Sequence, residues 1–462
     1  MNLLRKFTPR NFRKGILLFE KLLIVLVSTA LYVALLFLFH KDIANDLSQL
    51  FILILIHFVI FIVLFTNYRC DKIGTLRLRE LIFSYALSCF ITDAVSFLIL
   101  IIVSETPVNI LHFLVMFLAQ VVAGIVLYVI ANRTYYILNP AVKAVAICSD
   151  SRWEKESIHK FKNTPAKYRI EKVMFGTDNL GSVDQEIGEY DMVILGDIER
   201  RKKAEIISYC FEKNKRLYIL PSIQNLMINS ATATQNGDSM VLLLNNKPMT
   251  MEQLLIKRVV DIIVPSIALV ILSPLLLITA LLIKMYDKGP VFFKQERYTR
   301  NNEVFTLIKF RSMIVDAEKN GAQFTVPDDK RITPIGKFIR ATRIDELPQL
   351  LNIIKGDMSI VGPRAERVEN ADAYSEMMPE FRYRTKVKAG LTGYAQVYGK
   401  YNTSPEDKLR MDLHYINNYS LLMDLKLLLY TVKVVFMKES TEGFENETLE
   451  EEFDIGKEDK KE

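Results

Sequence analysis

Cysteine is scarce in this chain. Four residues, Cys70, Cys89, Cys148 and Cys210, are spread over 462 positions, with no close pairing and no metal-site spacing. A disulfide scaffold is therefore not expected, and the thiols read as reduced ones of an intracellular or membrane setting. A cleavable signal peptide is not expected either: the first apolar run is too long for one, and no small-residue cleavage site follows it. Half of the chain is hydrophobic, and its length allows two or three domains. The net charge is +6, but eleven acids and only three lysines fall between Glu439 and Glu462. Residues 439–462 thus read as an acidic, disordered tail, and the remainder is more basic than the total suggests.

Four stretches are apolar over about the 20 residues a bilayer requires: Leu22 to Phe39, Leu47 to Phe65, Leu81 to Val103 and Leu111 to Ala131. Arg5, Lys6, Arg10, Arg13 and Lys14 precede the first; Arg69, Lys72, Arg77 and Arg79 separate the second and third. The other two loops are nearly free of basic residues, so both ends of this four-helix unit are expected on the cytoplasmic side. Asp93, inside the third stretch, is either a functional intramembrane charge or a polar contact within the bundle.

A fifth apolar stretch, Val259 to Ile283, is long enough to span. Lys257 and Arg258 flank one end, however, and Lys284 and Lys288 the other. Lys294, Arg297, Arg300, Lys309 and Arg311 follow, a load that translocates poorly. Pro265 and Ser273-Pro274 interrupt it, and proline removes a helix hydrogen bond. A re-entrant helical hairpin, residues 259–283, broken at Ser273 and Pro274, is the expectation; a plain kinked span is the alternative.

Between these regions, "VKAVAIC" (142–148), "YDMVILGDI" (190–198) and "RLYILPSI" (216–223) read as buried strands separated by helix-compatible segments. They predict a small α/β, Rossmann-like module with a mainly parallel sheet. The segment after the first strand is "CSDSRWEK", with no glycine-rich phosphate loop, which favours a structural or regulatory module over a nucleotide site. "NSATATQNGDS" (229–239) reads as a linker or loop.

Residues 257–437 are dense in groups suited to phosphate chemistry. "LIKFRSM" (307–313) offers Lys309 and Arg311, "RATRIDELPQLLN" (340–352) offers Arg340, Arg343, Asp345 and Glu346, and "KGDMSIVGPR" (355–364) ends in Arg364. "KAGLTGYAQVYGKYN" (388–402) is a glycine-punctuated loop carrying Lys388, Thr392 and Gln396. Arginine grips phosphate oxygens in a bidentate fork. One carboxylate can attack phosphorus and a second can help hold Mg²⁺. Each element has a plainer reading: basic runs are solvated faces, and Thr342-x-x-Asp345 fits a helix capping box.

Six ordered blocks tie this segment to a family: Lys257-Arg258, Ser273-Pro274, "KFRSM", "DELPQLLN", "GDMSIVGPR" and "GLTGYAQV". Over about 180 residues the segment resembles the bacterial sugar transferases, the monotopic phosphoglycosyl transferases. The whole chain resembles the long members that prime capsule and exopolysaccharide synthesis. The fold that follows is a membrane protein in parts: a four-span transmembrane bundle (1–140), the cytoplasmic Rossmann-like module (141–245), a mixed α/β catalytic domain (246–438) anchored by the re-entrant hairpin, and the tail.

The resemblance implies transfer of a hexose 1-phosphate, glucose or galactose first, from a UDP-sugar to undecaprenyl phosphate with release of UMP. Asp345 would be the nucleophile, forming a phosphosugar-aspartyl intermediate. Glu346 would serve Mg²⁺, with Asp345, or help deprotonate the acceptor. Arg364 would bind phosphate; Lys309, Arg311, Arg340 and Gln396 would line the substrate. Basic neighbours and a helix N-terminus are expected to keep Asp345 ionised. The expected setting is the bacterial inner or plasma membrane, with the catalytic domain on its cytoplasmic face in contact with lipid. No nucleic-acid partner is implied, and a homodimer stays open. A catalytically inactive assembly or regulatory protein of polysaccharide export is the alternative. The chain departs from the family pattern at Ala365 and Ala389, where prolines are usual, and at Thr299 and Asn302, where "QERxGxxG" has glycines.

Overall fold

A computed structural model describes residues 10–104, 108–162, 167–176, 183–244, 249–315, 317, 329–399 and 403–435. The acidic stretch 439–462, and Arg5 and Lys6, lie outside the described residues. The chain divides into two compact units, Met1–Pro221 and Ser222–Glu462.

The first unit opens with four long helices, α1 (Arg10–Phe39), α2 (Leu47–Asn67), α3 (Leu78–Val103) and α4 (Ile110–Leu138). Each is long and apolar enough to cross a membrane. Their apolar side chains are exposed in large number, Leu26, Phe51, Leu98 and Leu118 among them, while polar groups are turned inward, the arrangement suited to a lipid solvent. Ser28 Oγ lies 2.5 Å from Tyr85 Oη. His57 Nδ1 lies 3.1 Å from Ser96 Oγ, and the His57 ring stacks on Tyr32 at 4.0 Å. Asp93 has no exposed surface, so it belongs to the helix-packed interior.

A four-stranded parallel sheet follows in the order β2-β1-β3-β4, built from β1 (Val142–Cys148), β2 (Tyr168–Phe175), β3 (Met192–Leu195) and β4 (Arg216–Ile219). The strand period of two splits its core. Val145, Ile147, Val193 and Leu195 pack on one face; Ala144, Ala146, Met192 and Ile194 pack on the other. The three apolar runs in the sequence are β1, β3 and β4; β2 was not among them. Helices α5 (Arg152–Lys162) and α6 (Arg200–Glu212) accompany the sheet. Glu154, on α5, is buried where β1 and β3 end. Its carboxylate accepts from Ser149 N at 2.5 Å, Ser149 Oγ at 2.9 Å and Asp197 N at 2.5 Å. In doubly wound sheets, backbone N–H groups at such a position bind ligand phosphate; here the protein's own carboxylate takes them.

The second unit begins with a correction. Residues 229–239, expected as a loop, contribute most of an antiparallel hairpin, β5 (Thr232–Asn236) and β6 (Ser239–Leu243). Gly237 turns it at φ +65° between the paired Asn236 and Ser239, so the Gly-Asp dipeptide 237–238 is the two-residue loop, a hairpin signal inside a polar stretch. Next comes α7 (Met251–Asp287), the fifth helix of membrane-spanning length, assigned as one helix with Pro265 and Pro274 inside it. A capping box between Thr250 and Gln253 starts it, and Lys288 at φ 58° ends it.

Both ends of α7 are fastened to the same unit. Near the start, Lys257 Nζ lies 2.5 Å from Asp424 Oδ2. Arg258 donates to the carbonyls of Ile353 and Ile354 at 2.8 and 2.7 Å, and Asp261 Oδ1 accepts from Ile360 N at 2.9 Å. Near the finish, Ile283 is buried with Phe310 and Ile339, and Asp287 pairs with Arg311. The middle carries exposed Val270, Ile271 and Leu277. Lys257 and Arg258, read in the sequence as charges flanking the apolar stretch, are thus also structural ties.

The hairpin β7 (Phe292–Tyr298) and β8 (Val304–Phe310) follows, with Asn301 and Asn302 at φ 58° and 60° in its turn. Asparagine at the usual glycine position 302 therefore serves the left-handed turn. Thr299 has an extended backbone, φ −123°, and needs no glycine. Helices α8 (Pro334–Ala341), α9 (Gln349–Lys355) and α10 (Val368–Met377) come next, and then α11 (Pro405–Asn417) and α12 (Leu421–Val435). A short parallel pair, β9 (Ser359–Val361) and β10 (Gly390–Thr392), brings the segments before and after α10 together. A Cβ on Gly390 would sit 2.1 Å from Gly362 N, so this approach demands glycine.

Candidate active site

Asp345 sits between two helices on a single 3-10 turn, Ile344–Glu346. α8 stops at Ala341, Thr342 is its C-cap, and Arg343 reverses the chain in the left-handed region at φ 58°. Thr342 therefore caps nothing ahead of it; its hydroxyl donates back to Phe338 O at 2.8 Å. The expected capping box is absent because the helix that follows starts later, at Gln349 after Pro348. Ile344 packs against the cluster of Phe310 and Ile339, which seats the turn. Asp345 is 8% exposed. Its carboxylate makes no hydrogen bond to a described residue.

Glu346 is held differently. Arg364 Nη2 donates to its Oε1 at 3.0 Å, and Arg343 Nη1 lies 3.6 Å from the same oxygen. Arg364 is about half exposed and is delivered by the turn after β9. Its backbone bridges Gly390, and its carbonyl accepts from Arg384 Nη2 at 3.1 Å. Arg384 is buried and donates through Nε to Asp412 Oδ2 at 2.7 Å. This support was not foreseen, because Arg384 and Asp412 lie 28 positions apart and share no local pattern.

Lys309, on β8, faces the acid pair electrostatically and stands 5.0 Å over the ring of Phe293, its partner on β7. Arg340, on α8, is oriented by Ser312, whose Oγ accepts from its Nε at 2.8 Å. Ser312 was missed at the sequence level; its hydroxyl positions a cation of the site. Lys309, Arg340, Arg343, Asp345, Glu346 and Arg364 thus form one cluster. Arg311 and Gln396 are placed otherwise. The Arg311 guanidinium is buried against Asp287, and the Gln396 amide donates to Leu391 O at 2.9 Å within its own loop. Ser273 Oγ donates to Val270 O at 2.8 Å, next to Pro274 in α7.

Burial pushes the Asp345 carboxyl up to about 6; the Glu346 charge adds to this, while Lys309, Arg340 and Arg343 pull the other way. The basic neighbours are still what limit the rise: at about 6 the carboxyl is ionised at neutral pH, although burial outweighs their attraction. Burial also lowers Lys309, to about 8, helped by Arg297. Burial works against the charge on Glu346, yet Arg364 and Arg343 more than offset it and hold its carboxyl below the usual range. The two adjacent acids are therefore driven apart in acidity, a pattern common where carboxylates have separate tasks.

Two adjacent carboxylates, hard oxygen donors, suit a magnesium ion that takes its other ligands from water and phosphate. Among the described residues, no group of three or more His, Cys, Asp or Glu converges as a complete metal cage. The donor set therefore fits a cation completed by substrate.

Residues 252–438 match the bacterial sugar transferase family. Over 183 residues the chain is 43% identical to a UDP-N-acetylgalactosamine-undecaprenyl-phosphate N-acetylgalactosaminephosphotransferase of Aeromonas hydrophila, covering 39% of this chain and 43% of that one. Over 229 residues it is 37% identical to a UDP-glucose:undecaprenyl-phosphate glucose-1-phosphate transferase of Klebsiella pneumoniae, covering 48% and 49%. The chain thus spans about half the length, or less, of these two relatives. Over 190 residues it is 41% identical to the exopolysaccharide production protein PSS of Rhizobium leguminosarum bv. phaseoli, covering 39% of this chain and 94% of that one. With a relative matched almost end to end and the site cluster inside the matched residues, this chain belongs to the bacterial sugar transferase family.

Proposed function

We propose that the protein transfers a hexose 1-phosphate from a UDP-sugar to undecaprenyl phosphate, releasing UMP, as a priming step of capsule or exopolysaccharide synthesis. The observation that carries this reading is Asp345, a buried carboxylate beside Lys309, Arg340 and Arg343 and next to the Glu346–Arg364 pair. In the first step, an ionised Asp345 oxygen attacks the phosphorus that bears the sugar. The bond from that phosphorus to the bridging oxygen breaks, and UMP departs with the electron pair. In the second step, an oxygen of undecaprenyl phosphate attacks the same phosphorus and the Asp345 carboxylate leaves.

Arg364 and Lys309 would neutralise charge on the phosphoryl oxygens. Glu346, with Asp345, would hold Mg²⁺, which when bound would supply further charge neutralisation on the diphosphate. Glu346 is held ionised by Arg364, which suits ligation better than proton uptake. The relatives' names span glucose and N-acetylgalactosamine. Glucose or galactose leads our reading on the long-form resemblance.

For the membrane arrangement, we read α1 to α4 as four spans and α7 as a re-entrant hairpin breaking near Ser273-Pro274, with the catalytic unit at the cytoplasmic face. What supports the hairpin is that Lys257, Arg258 and Asp261 at one end and Ile283 and Asp287 at the other bind the same small unit. A helix crossing the bilayer would put those ends on opposite sides. The exposed apolar middle would then sit in lipid, and an active site at that depth meets a lipid-borne phosphate.

The test is UMP release by purified protein with undecaprenyl phosphate, Mg²⁺ and a panel of UDP-sugars. Intact-protein mass spectrometry without acceptor should detect one added hexose phosphate on wild type and none on Asp345→Asn. No UMP from any UDP-sugar would leave the inactive assembly protein as the reading. For topology, a single cysteine at Lys330 in a chain lacking its four buried cysteines should resist an impermeant maleimide in intact cells.

A further inference from the structure

One cleft in the second unit is not used by the acid pair. It has a volume of about 190 Å³ and lies between the β7–β8 turn, α10 and the 3-10 segment Pro379–Lys386. Arg364, the residue that grips Glu346, also lines it.

The cleft's floor is apolar, with Ala371, Phe381, Val387 and Ala389 all buried. Its polar groups are held in place. Tyr298 Oη donates to the Asp372 carboxylate, 3.2 and 3.3 Å from its two oxygens. Thr385 Oγ1, whose proton goes to Arg382 O at 2.8 Å, lies 3.0 Å from the Asn302 amide and holds that amide at the cleft. Arg382 is exposed at the rim. An oriented carboxylate acceptor, an amide donor and an apolar base suit a flat polar ring bearing a hydroxylated sugar. A carboxylate accepts ribose hydroxyls or a ring N–H, and an amide donates to ring carbonyls. With Glu366 and Asp372 on its wall, the cleft does not suit a prenyl chain.

We infer that this cleft binds the nucleoside half of the donor, with Arg364 on the diphosphate between it and Asp345, and with Asp372 and Asn302 reading the ribose and base. The inference rests on the reading of the protein as a UDP-sugar transferase and adds which residues set nucleotide specificity. These would be binding residues, since none reaches the reacting phosphorus.

The test uses the full chain in detergent or nanodiscs and UMP as the probe. Titration calorimetry of UMP should show Asp372→Ala and Asn302→Ala binding about tenfold more weakly, the loss of one hydrogen bond involving a charged or well-aligned group. Tyr298→Phe, which keeps the ring, should lose less and guards against a folding artefact. In turnover assays the same variants should raise KM for the UDP-sugar and the inhibition constant of UMP together, with kcat changed less than either. Unchanged UMP affinity in all three variants overturns the inference. So does a change confined to discrimination among sugars, which would make the cleft the hexose site. Wild type that binds UMP in this cleft but neither releases UMP nor forms an adduct would count against the transferase reading alone.

Discussion

The hydroxyl of Thr299 accepts the backbone N–H of Ala389 at 3.3 Å and donates to Asp357 O at 2.7 Å. Both residues depart from the family pattern, in which a glycine and a proline stand there. A proline has no N–H to offer, and a glycine has no hydroxyl to accept one. The two departures therefore belong together: alanine exposes a buried donor, and threonine satisfies it. Thr299→Val should cost about 1–3 kcal/mol, because it strands the Ala389 N–H in a buried site. Ala389→Pro should cost less in a Thr299→Gly background than in the native one. A double-mutant cycle on thermal unfolding of the detergent-solubilised protein measures this coupling; strictly additive effects would count against it.

The opposed shifts of Asp345 and Lys309 predict a bell-shaped pH profile for adduct formation. The productive state has the carboxylate charged and the ammonium protonated. Asp345 is raised to about 6, so the rate climbs as pH passes through that value and the carboxyl loses its proton. Lys309 is lowered to about 8, so the rate falls as pH passes that value and the ammonium discharges. Single-turnover rates from pH 5 to 9.5 read both limbs. Lys309→Arg should remove the alkaline limb, and Lys309→Gln should also move the acid limb upward by deleting a cation that favours the charged carboxyl.

Asp345→Asn keeps the shape of the turn and removes the carboxylate proposed as nucleophile. Transfer should drop by on the order of 10³-fold or more, with UMP binding kept. Glu346→Gln should lower kcat less and should weaken the dependence on Mg²⁺ concentration. A Glu346→Gln protein with wild-type magnesium dependence would remove Glu346 from metal binding.

How far these features could be read without coordinates depends on how local they are. The five apolar helices are legible because length and composition are carried by consecutive residues, and β1, β3 and β4 because each is a short apolar run. The acid pair was legible through its flanking arginines. β5 and β6 were not, since every residue in them is exposed and the apolar signal is confined to Met240 to Leu244. The supports of the site were hidden for a different reason. Arg384 with Asp412 and Arg340 with Ser312 are single side-chain contacts across 28 positions each, which no periodicity records. The upward shift of Asp345 was not legible, because neighbouring charges are visible in a sequence and burial is not.

Glu154 in the first unit offers a local test of why that sheet carries no phosphate loop. Its carboxylate is the acceptor for two backbone N–H groups at the ends of β1 and β3. Glu154→Ala should leave both without this partner in a part-buried site, at about 1 kcal/mol each. Hydrogen exchange at Ser149 and Asp197 should accelerate, while exchange in α2 and α3 stays unchanged. Phosphate added to the variant should not restore protection if the carboxylate only braces the sheet; restored protection would reveal an anion site that Glu154 normally fills.

The ion pair of Lys257 with Asp424 separates two roles for the basic pair in the early turns of α7. Both side chains are nearly buried, at 11% and 13% exposure, and Tyr415 Oη donates to Asp424 at 2.8 Å. If Lys257 acted only through its charge at the membrane face, Asp424 would matter little and Lys257→Arg would be neutral. As a buried pair, each partner leaves an uncompensated charge when the other is removed. Lys257→Met and Asp424→Leu should each destabilise by about 3–5 kcal/mol, and the double variant by less than either alone. Thermal unfolding in detergent and resistance to added protease read the order of the three variants. The double variant should also keep the cytoplasmic placement proposed for the catalytic unit, because Arg258, Lys284 and Lys288 still flank the apolar stretch of α7. A double variant that is stable but inverted would return Lys257 to the role of a topology signal.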